Sequence, residues 1–212
     1  MARPVFLDCD NTLLDNDAAK ARLEAGIAAE VPHRVASRFW ELYELVRDAE
    51  GYVDFPATVA RLAGEHPADT ARIERILEHL PYREFVYPGA LETIEALWRS
   101  MTPVILSDGD PVFQPRKIER AGLAAAVRGN VLIYAHKEQR LAEVTRRFPG
   151  ARPIFVDDKA RILGHVERQL PDAVTVHVRQ GSYAHEAVDA GDPEPDLEIP
   201  SIGDLNGAIA TV

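Results

Sequence analysis

Acidic and polar side chains follow several short apolar runs of this chain. The runs are 4–7, 103–106 and 153–156, and the side chains that follow them are Asp8, Asp10, Ser107, Asp157 and Asp158. Each run is short, partly β-branched and bounded by turn or breaker residues, as is typical of a buried strand. Because parallel strands present their carboxyl ends at one edge of a sheet, we expect these side chains to meet there and bind a ligand.

Asp8 and Asp10 are two residues apart, so both side chains lean to the same side of the strand end. Two adjacent carboxylates repel each other unless a cation or a shared proton relieves the repulsion. An EF-hand loop beginning at Asp8 would need glycine at its sixth position and glutamate at its twelfth, where this chain has Leu13 and Ala19. A solvated surface turn is the remaining alternative, and the apolar strand leading straight into the pair disfavours it.

The elements that must position these residues alternate between strand and helix patterns. Further strand patterns cover 130–134 and 173–178, and this alternation predicts an α/β fold with a parallel sheet. The stretch 16–87 contains amphipathic helix patterns and no strand pattern. We therefore expect an all-helical insert at 16–87 within an α/β core formed by residues 1–15 and 88–212.

Four motifs of the chain, taken in order, resemble those of the haloacid dehalogenase superfamily. They are Asp8-x-Asp10-x-Thr12 after an apolar strand, Ser107 in the run ILSDG, Lys137 after the strand at 130–134, and the pair Asp157–Asp158 in the run FVDD. The resemblance covers about residues 5–180, and the insert lies where that family's small helical cap belongs. It implies a Rossmann-like, doubly wound parallel sheet and a capped, phosphatase-like hydrolase.

The resemblance also implies a role for each acidic residue. Asp8 would be the nucleophile that becomes an aspartyl phosphate, and Asp10 would protonate the leaving oxygen and then deprotonate the attacking water. The implied cofactor is Mg²⁺, which prefers carboxylate oxygen. Its implied ligands are the Asp8 carboxylate, the Asp10 backbone carbonyl and Asp158, with Asp157 binding directly or through water.

Phosphate binding would fall to residues of the second and third motifs. The resemblance implies that Ser107 and the backbone N–H groups of Asp108 or Gly109 bind the phosphate, and that Lys137 neutralises charge on the phosphate and on the nucleophile. Considered alone, Ser107 could be a strand-end cap and Lys137 a solvated lysine. Lys117 lies only ten residues after Ser107, within the next helix, and we interpret it either as a surface residue or as one that supports the residues of the site from behind.

Composition limits the class of partner. The chain has 212 residues and a formal net charge of −10, which argues against nucleic acid or an anionic membrane as the main partner. A single cysteine, Cys9, excludes an internal disulfide, and we expect a cytoplasmic protein without signal peptide or membrane span. A small phosphorylated molecule is the expected partner, and the sequence does not indicate the oligomeric state.

The expected function is magnesium-dependent hydrolysis of a small phosphorylated metabolite. Segment 47–54 of the insert is our candidate for a substrate-facing loop, with Arg47 and Tyr52 as its contacts, and a solvated connector is the alternative. A phosphomutase, a 2-haloacid dehalogenase of the same fold and a non-catalytic metal- or phosphate-binding module are the other functions considered. The dehalogenase branch lacks the second acidic residue, so Asp10 argues against it.

Overall fold

Six parallel strands form a single sheet in the order β3-β2-β1-β4-β5-β6. The computed structural model describes residues 2–186, 191, 193–210 and 212. The strands are β1 (Arg3–Leu7), β2 (Met101–Asp108), β3 (Val131–Tyr134), β4 (Ile154–Asp157), β5 (Val174–Val178) and β6 (Leu197–Ile199). This order is that of a doubly wound Rossmann-like sheet. From β1 to β3 the strands are added toward one edge of the sheet, and from β4 to β6 they are added toward the other edge.

Helices fill the connections between the strands. They are α1 (Asn16–Glu30), α2 (His33–Glu50), α3 (Phe55–Glu65), α4 (Pro67–His79), α5 (Ala90–Leu97), α6 (Phe113–Arg120), α7 (Leu123–Ala126), α8 (Leu141–Arg147), α9 (Ala160–Gln169) and α10 (Leu205–Ile209). Short 3₁₀ helices lie at Tyr82–Phe85, Lys137–Gln139, Tyr183–His185 and Ile202–Asp204. The expected α/β class is therefore confirmed.

Alternate residues of each central strand enter two separate apolar clusters. In β1, Val5 and Leu7 belong to the larger cluster, which also contains side chains of α5, α6 and α10. Phe6, between them, belongs to the smaller cluster, formed with side chains of α8 and α9. Because successive strand residues point to opposite faces, helices cover both faces of the sheet and its strands are buried on both sides.

The stretch between β1 and α5 holds α1 to α4 and a 3₁₀ helix, as expected of a helical insert. Asp15 and Asp54 are the N-cap residues of α1 and α3. Their side chains accept the backbone N–H groups of Ala18 and Ala57 at 2.8 and 2.7 Å. Apolar residues of the insert share the larger core cluster with those of the sheet. The division of the chain at 16 and 87 into two domains stays a prediction.

All five predicted strands are present, with bounds that differ by a few residues. The largest difference is at β2, which begins at Met101 and ends at Asp108, so Ser107 lies inside the strand. β6 is not among the predicted strands, because three residues with one exposed glutamate carry too little alternation to be recognised. No helix in the described part of the chain is long and apolar enough to cross a membrane.

Candidate active site

The candidate site lies where β1 and β4 end side by side. In the parallel pairing of these strands Leu7 is opposite Val156, and the backbone N–H of Asp8 donates to the Val156 carbonyl at 2.9 Å. The residue after β1 therefore sits beside the last residue of β4, Asp157, and its neighbour Asp158. This edge is the switch point of the doubly wound sheet, where such folds bind ligands.

Three buried carboxylates meet at this edge. Oxygen atoms of Asp8, Asp157 and Asp158 lie within 4.8 Å of one another. The Lys137 ammonium contacts Asp8 and lies 2.7 Å from Asp157 Oδ2. Lys137 is only 2% exposed, and its backbone N–H donates to Asp108 Oδ1 at 2.8 Å, which holds the lysine over the site. One buried ammonium thus contacts two of the three carboxylates.

Asp158 is the member of this cluster that the protein leaves unsatisfied. Both of its carboxylate oxygens and Asp8 Oδ2 are buried without a hydrogen-bond partner, whereas Asp157 Oδ1 accepts the Lys159 N–H at 2.9 Å. Burial, followed by repulsion from Asp157 and Asp8, raises the pKa of Asp158 to about 9. Burial likewise raises the pKa of Asp8 to about 7, against the opposing effect of Lys137.

Unpaired, buried carboxylate oxygens that converge in this way fit a hard divalent cation. Such a cation removes the repulsion that otherwise protonates Asp158 and Asp8. Asp158 and Asp8 each offer oxygens that no protein donor occupies, while Asp157 has donors on both of its oxygens. The donor set therefore favours Asp8 and Asp158 as direct ligands.

Asp10 faces away from this cluster and has its own partners. Its Oδ1 lies 2.5 Å from the Lys117 ammonium, and its Oδ2 accepts the Gln114 side-chain N–H at 3.2 Å. The same Gln114 amide donates to Ser107 Oγ at 3.0 Å. Gly109 makes room for this arrangement, since a Cβ there would lie 2.9 Å from the Gln114 side chain. Gln114 thus links the first motif to the second.

Of the two alternatives for Lys117, the surface residue is wrong, whereas a residue that supports another side chain of the site agrees with its contacts. Lys117 is 5% exposed, pairs with Asp10, and also donates to Asn16 Oδ1 at 2.6 Å. The sequence signal was present, because Gln114 and Lys117 are three residues apart and share one face of α6. Their direction toward Asp10 depends on how α6 packs, which the sequence does not specify.

The loop between β1 and α1 is shaped by Asn11. Asn11 has a left-handed φ of 61°, which asparagine tolerates better than most residues, and its Oδ1 accepts the N–H groups of Asn16 and Asp17 at 3.0 and 3.2 Å. Gly181 packs against its side chain so closely that a Cβ at Gly181 would lie 2.4 Å away. The first motif is thereby attached to the beginning of the helical insert.

A cavity of about 570 Å³ opens beside the cluster. On the sheet side it is lined by Asp10, Asp108 and Gly109, and on the helical side it is lined by Arg47 and Tyr52 among others. The predicted substrate-facing segment 47–54 therefore borders the same space as the candidate acid–base residue. Asp8, Ser107 and Lys137 are almost fully buried and are not part of this lining.

No protein-family model and no curated protein matches the chain. Among solved structures, one assigned to the haloacid dehalogenase-like hydrolases, from Burkholderia xenovorans LB400, is 40% identical and has a TM-score of 0.91. The match covers 100% of this chain and 98% of that chain. This chain belongs to the haloacid dehalogenase-like hydrolases.

More distant members of this hydrolase family share the fold. The HAD hydrolase YfnB from Bacillus subtilis, in a structure bound to magnesium, is 17% identical with a TM-score of 0.65, and the match covers 100% of this chain and 99% of that chain. A 2-haloacid dehalogenase from Pseudomonas syringae pv. Tomato DC3000 is 18% identical with a TM-score of 0.71, with the same coverage. Both likenesses concern the fold and not the reaction.

We expect Asp158→Asn to stabilise the metal-free protein. Because the folded-state pKa of about 9 lies above the ordinary value of 3.8, the folded protein holds a proton that the unfolded chain releases between these values. The free energy of unfolding therefore falls as the pH rises through that range. In chelator, urea unfolding should show that the free energy of unfolding of the wild type falls from about pH 6 to about pH 9. At about pH 9 the variant should exceed the wild type by about 1–3 kcal/mol in this free energy.

Asp157→Asn is the matched control for this experiment. It removes the same charge, but it also takes an ion-pair partner from the buried Lys137, so it should destabilise the protein. Equal stability changes in the two variants would contradict the assignment of Asp158 as the unsatisfied carboxylate.

Proposed function

We propose that the protein is a magnesium-dependent phosphatase that acts on a small phosphorylated molecule through an aspartyl phosphate on Asp8. The observation that carries this proposal is the buried carboxylate cluster in which the Asp158 oxygens have no partner. A halide leaves without being protonated, whereas the leaving oxygen of a phosphate ester needs the proton that Asp10 can donate, and phosphoryl transfer requires a concentration of positive charge around the phosphate. The 40% identical relative supports a hydrolase without specifying the bond that is cleaved.

In the first step an Asp8 carboxylate oxygen attacks phosphorus, and the bond from phosphorus to the leaving oxygen breaks. Asp10 donates its proton to that oxygen, so the leaving group departs as a neutral alcohol. Asp10 suits this role because it lines the cavity and is held by Lys117 and Gln114. The products of this step are the alcohol, an aspartyl phosphate on Asp8 and an ionised Asp10.

In the second step water attacks the phosphorus of the aspartyl phosphate. Asp10, now ionised, takes a proton from the water, and the bond between Asp8 and phosphorus breaks. Inorganic phosphate leaves, Asp8 regains its carboxylate and Asp10 is again protonated for the next turnover. The two aspartates thus keep separate roles throughout the cycle.

The remaining motif residues would hold the phosphoryl group. Ser107 Oγ and the N–H groups of Asp108 or Gly109 would donate to its oxygens, and Lys137 would offset the charge shared between the phosphate and Asp8. Mg²⁺, held by Asp8, Asp158 and the Asp10 carbonyl, supplies further charge neutralisation when bound. Substrate selection would fall to the helical side of the cavity, where Arg47 and Tyr52 lie.

Two variants separate the roles of the aspartates. Asp8→Asn should abolish hydrolysis of p-nitrophenyl phosphate and formation of an acid-stable phosphoenzyme, because the nucleophile is gone. Asp10→Asn should keep the nucleophile and lower kcat by about 10²–10⁴-fold, the usual worth of a positioned proton donor. Wild-type activity should require Mg²⁺ and be lost in chelator. Phosphoenzyme formation by Asp8→Asn, or full activity after verified metal removal, would contradict the proposal.

A halide-release assay distinguishes the dehalogenase alternative. The same preparation is incubated with L-2-chloropropionate in chelator and with p-nitrophenyl phosphate in Mg²⁺. We expect phosphate release only. Halide release without phosphate release would assign the chain to the dehalogenases, and the absence of either product from these and from a panel of phosphorylated metabolites would favour a non-catalytic binding module.

Lys117→Met tests whether the buried ion pair positions Asp10. Loss of the ammonium leaves Asp10 without its cation and releases Asn16, so we expect kcat/KM to fall by about 10²-fold, as for a displaced catalytic group. Arg116→Met removes the same charge from the exposed face of α6 and should leave kcat/KM unchanged. Lys117→Arg should recover part of the loss, and equal activity of the two methionine variants would exclude a positioning role.

A further inference from the structure

The cavity beside Asp10 gathers positive charge in a protein that is acidic as a whole. The chain has 24 Lys and Arg against 34 Asp and Glu. Among the residues that the structure describes, the cavity lining reverses this excess, with five basic side chains and four acidic ones. The basic residues are Lys20, Arg47, Lys117, Lys159 and Arg161, and the acidic ones are Asp10, Asp17, Asp48 and Asp108. An anionic occupant would match this lining better than a neutral one.

Each acidic side chain of the lining already has a partner within the protein. Their contacts are Asp10 with Lys117, Asp17 with the Ser182 N–H, Asp48 with Arg47, and Asp108 with the Lys137 N–H. The carboxylates of the lining therefore do not neutralise all of its basic side chains. Some of it is available to a ligand.

Lys20, Lys159 and Arg161 are the lining cations without a carboxylate at ion-pair distance among the described residues, and of these Lys159 is attracted by Asp8 and Asp157 of the buried cluster, whereas Lys20 lies on α1. Within the described residues its ammonium has no carboxylate at ion-pair distance and lies instead over aromatic rings, 4.9 Å from the centre of Tyr43 and 5.7 Å from that of Trp40. Ring faces attract a cation but do not replace the hydrogen bonds that a carboxylate or phosphate accepts from an ammonium. Lys20 is partly buried and borders the cavity, so an anion in the cavity can reach it.

Lys20 lies on the side of the cavity where the leaving group would bind, and not on the side of the phosphoryl group. It lies one helical turn after Asn16, whose Oδ1 accepts from Lys117 beside Asp10. Residues four apart on a helix are neighbours, separated by about 5–6 Å between Cβ atoms. Lys20 therefore lies on the helical side of the cavity beyond Asp10, the residue that would protonate the leaving oxygen.

Aromatic side chains form much of the surface near Lys20. Six of the 15 aromatic residues of the chain line the cavity, namely Tyr43, Tyr52, Phe55, Tyr82, Phe113 and Tyr183. Phe55 bridges two neighbours, with ring centres 5.6 Å from Tyr43 and 4.7 Å from Phe113. Such a wall accepts an apolar or ring-bearing part of a ligand and limits competition from water for the lysine.

We propose that the substrate's leaving group carries a second anionic group, a carboxylate or a phosphate, which Lys20 binds. The inference rests on the proposed phosphatase function and specifies its substrate class. The phosphoryl group would bind beside Asp8, and the body of the leaving group would contact the aromatic wall. The second anion would accept hydrogen bonds from the Lys20 ammonium. Phosphate esters with neutral leaving groups would lack this contact.

Paired substrates test the proposal. 4-Carboxyphenyl phosphate and its neutral amide, 4-carbamoylphenyl phosphate, are compared by kcat/KM in wild type and in Lys20→Met. The ratio of kcat/KM for the carboxylate to kcat/KM for the amide is compared between wild type and variant. Differences in leaving-group reactivity are the same in both proteins and cancel in this comparison. We expect the carboxylate-to-amide ratio to fall by about 10-fold to 100-fold in Lys20→Met, the worth of one hydrogen bond to a charged group.

Two further variants show whether the loss is specific to this ammonium. Lys20→Arg should retain most of the ratio, because the charge and the donors remain. Arg22→Met removes the same charge from an exposed position of α1 outside the cavity and should leave the ratio unchanged. Lys20→Gln replaces the methionine variant if that one does not fold. A third probe, 4-(phosphonomethyl)phenyl phosphate, separates the two anions, since the probe with the larger Lys20-dependent gain identifies the preferred one.

The outcomes separate this inference from the proposed function. If neither probe nor phenyl phosphate is hydrolysed in Mg²⁺, the proposed phosphatase function is wrong. If both probes are hydrolysed and the ratio is the same in wild type, Lys20→Met and Arg22→Met, the phosphatase function stands and the role of Lys20 is overturned. A ratio lowered equally by Lys20→Met and Arg22→Met would indicate general electrostatic attraction and would also overturn it.

Discussion

The close approach of Asp8, Asp157 and Asp158 is the constraint on which the rest of the site depends. Parallel pairing of β1 with β4 brings these carboxylates together, and burial denies them the water that would screen their repulsion. Lys137 offsets part of the negative charge and is itself almost fully buried. Asp158 receives no such compensation, since neither of its carboxylate oxygens has a protein partner. Such an arrangement sacrifices stability for a site that attracts positive charge.

A second set of contacts surrounds Asp10 and connects the sheet to the helical insert. Gln114 and Lys117 reach it from α6, and Lys117 also binds Asn16 at the beginning of α1. Asn11 reinforces the same junction by accepting the first N–H groups of α1. The candidate proton donor is therefore held by residues on both sides of the junction, so its position is coupled to that of the insert.

The charge of the cavity lining differs in sign from the net charge of the protein. Net charge governs long-range attraction, but the field inside a cavity depends mainly on the side chains that line it. Here the lining carries more basic than acidic groups, and its aromatic walls reduce the screening of those groups by water. The carboxylates of the buried cluster are offset in part by Lys137, and their unpaired oxygens fit a further cation. The two regions thus differ in the sign of the charge that their side chains contribute.

The sequence by itself determined the α/β class, the helical stretch after β1 and the strand-end positions of Asp8 and Asp157, because hydrophobic period and local motif order are properties of short segments. It did not determine β6, which is too short to show a period. Only the tertiary structure decided that Lys117 is buried against Asp10, that Asp158 lacks a partner and that Lys20 borders the cavity. Those properties depend on which faces of distant helices and strands meet. Contacts such as that between Asp8 and Lys137, 129 residues apart, form only when the whole sheet is assembled.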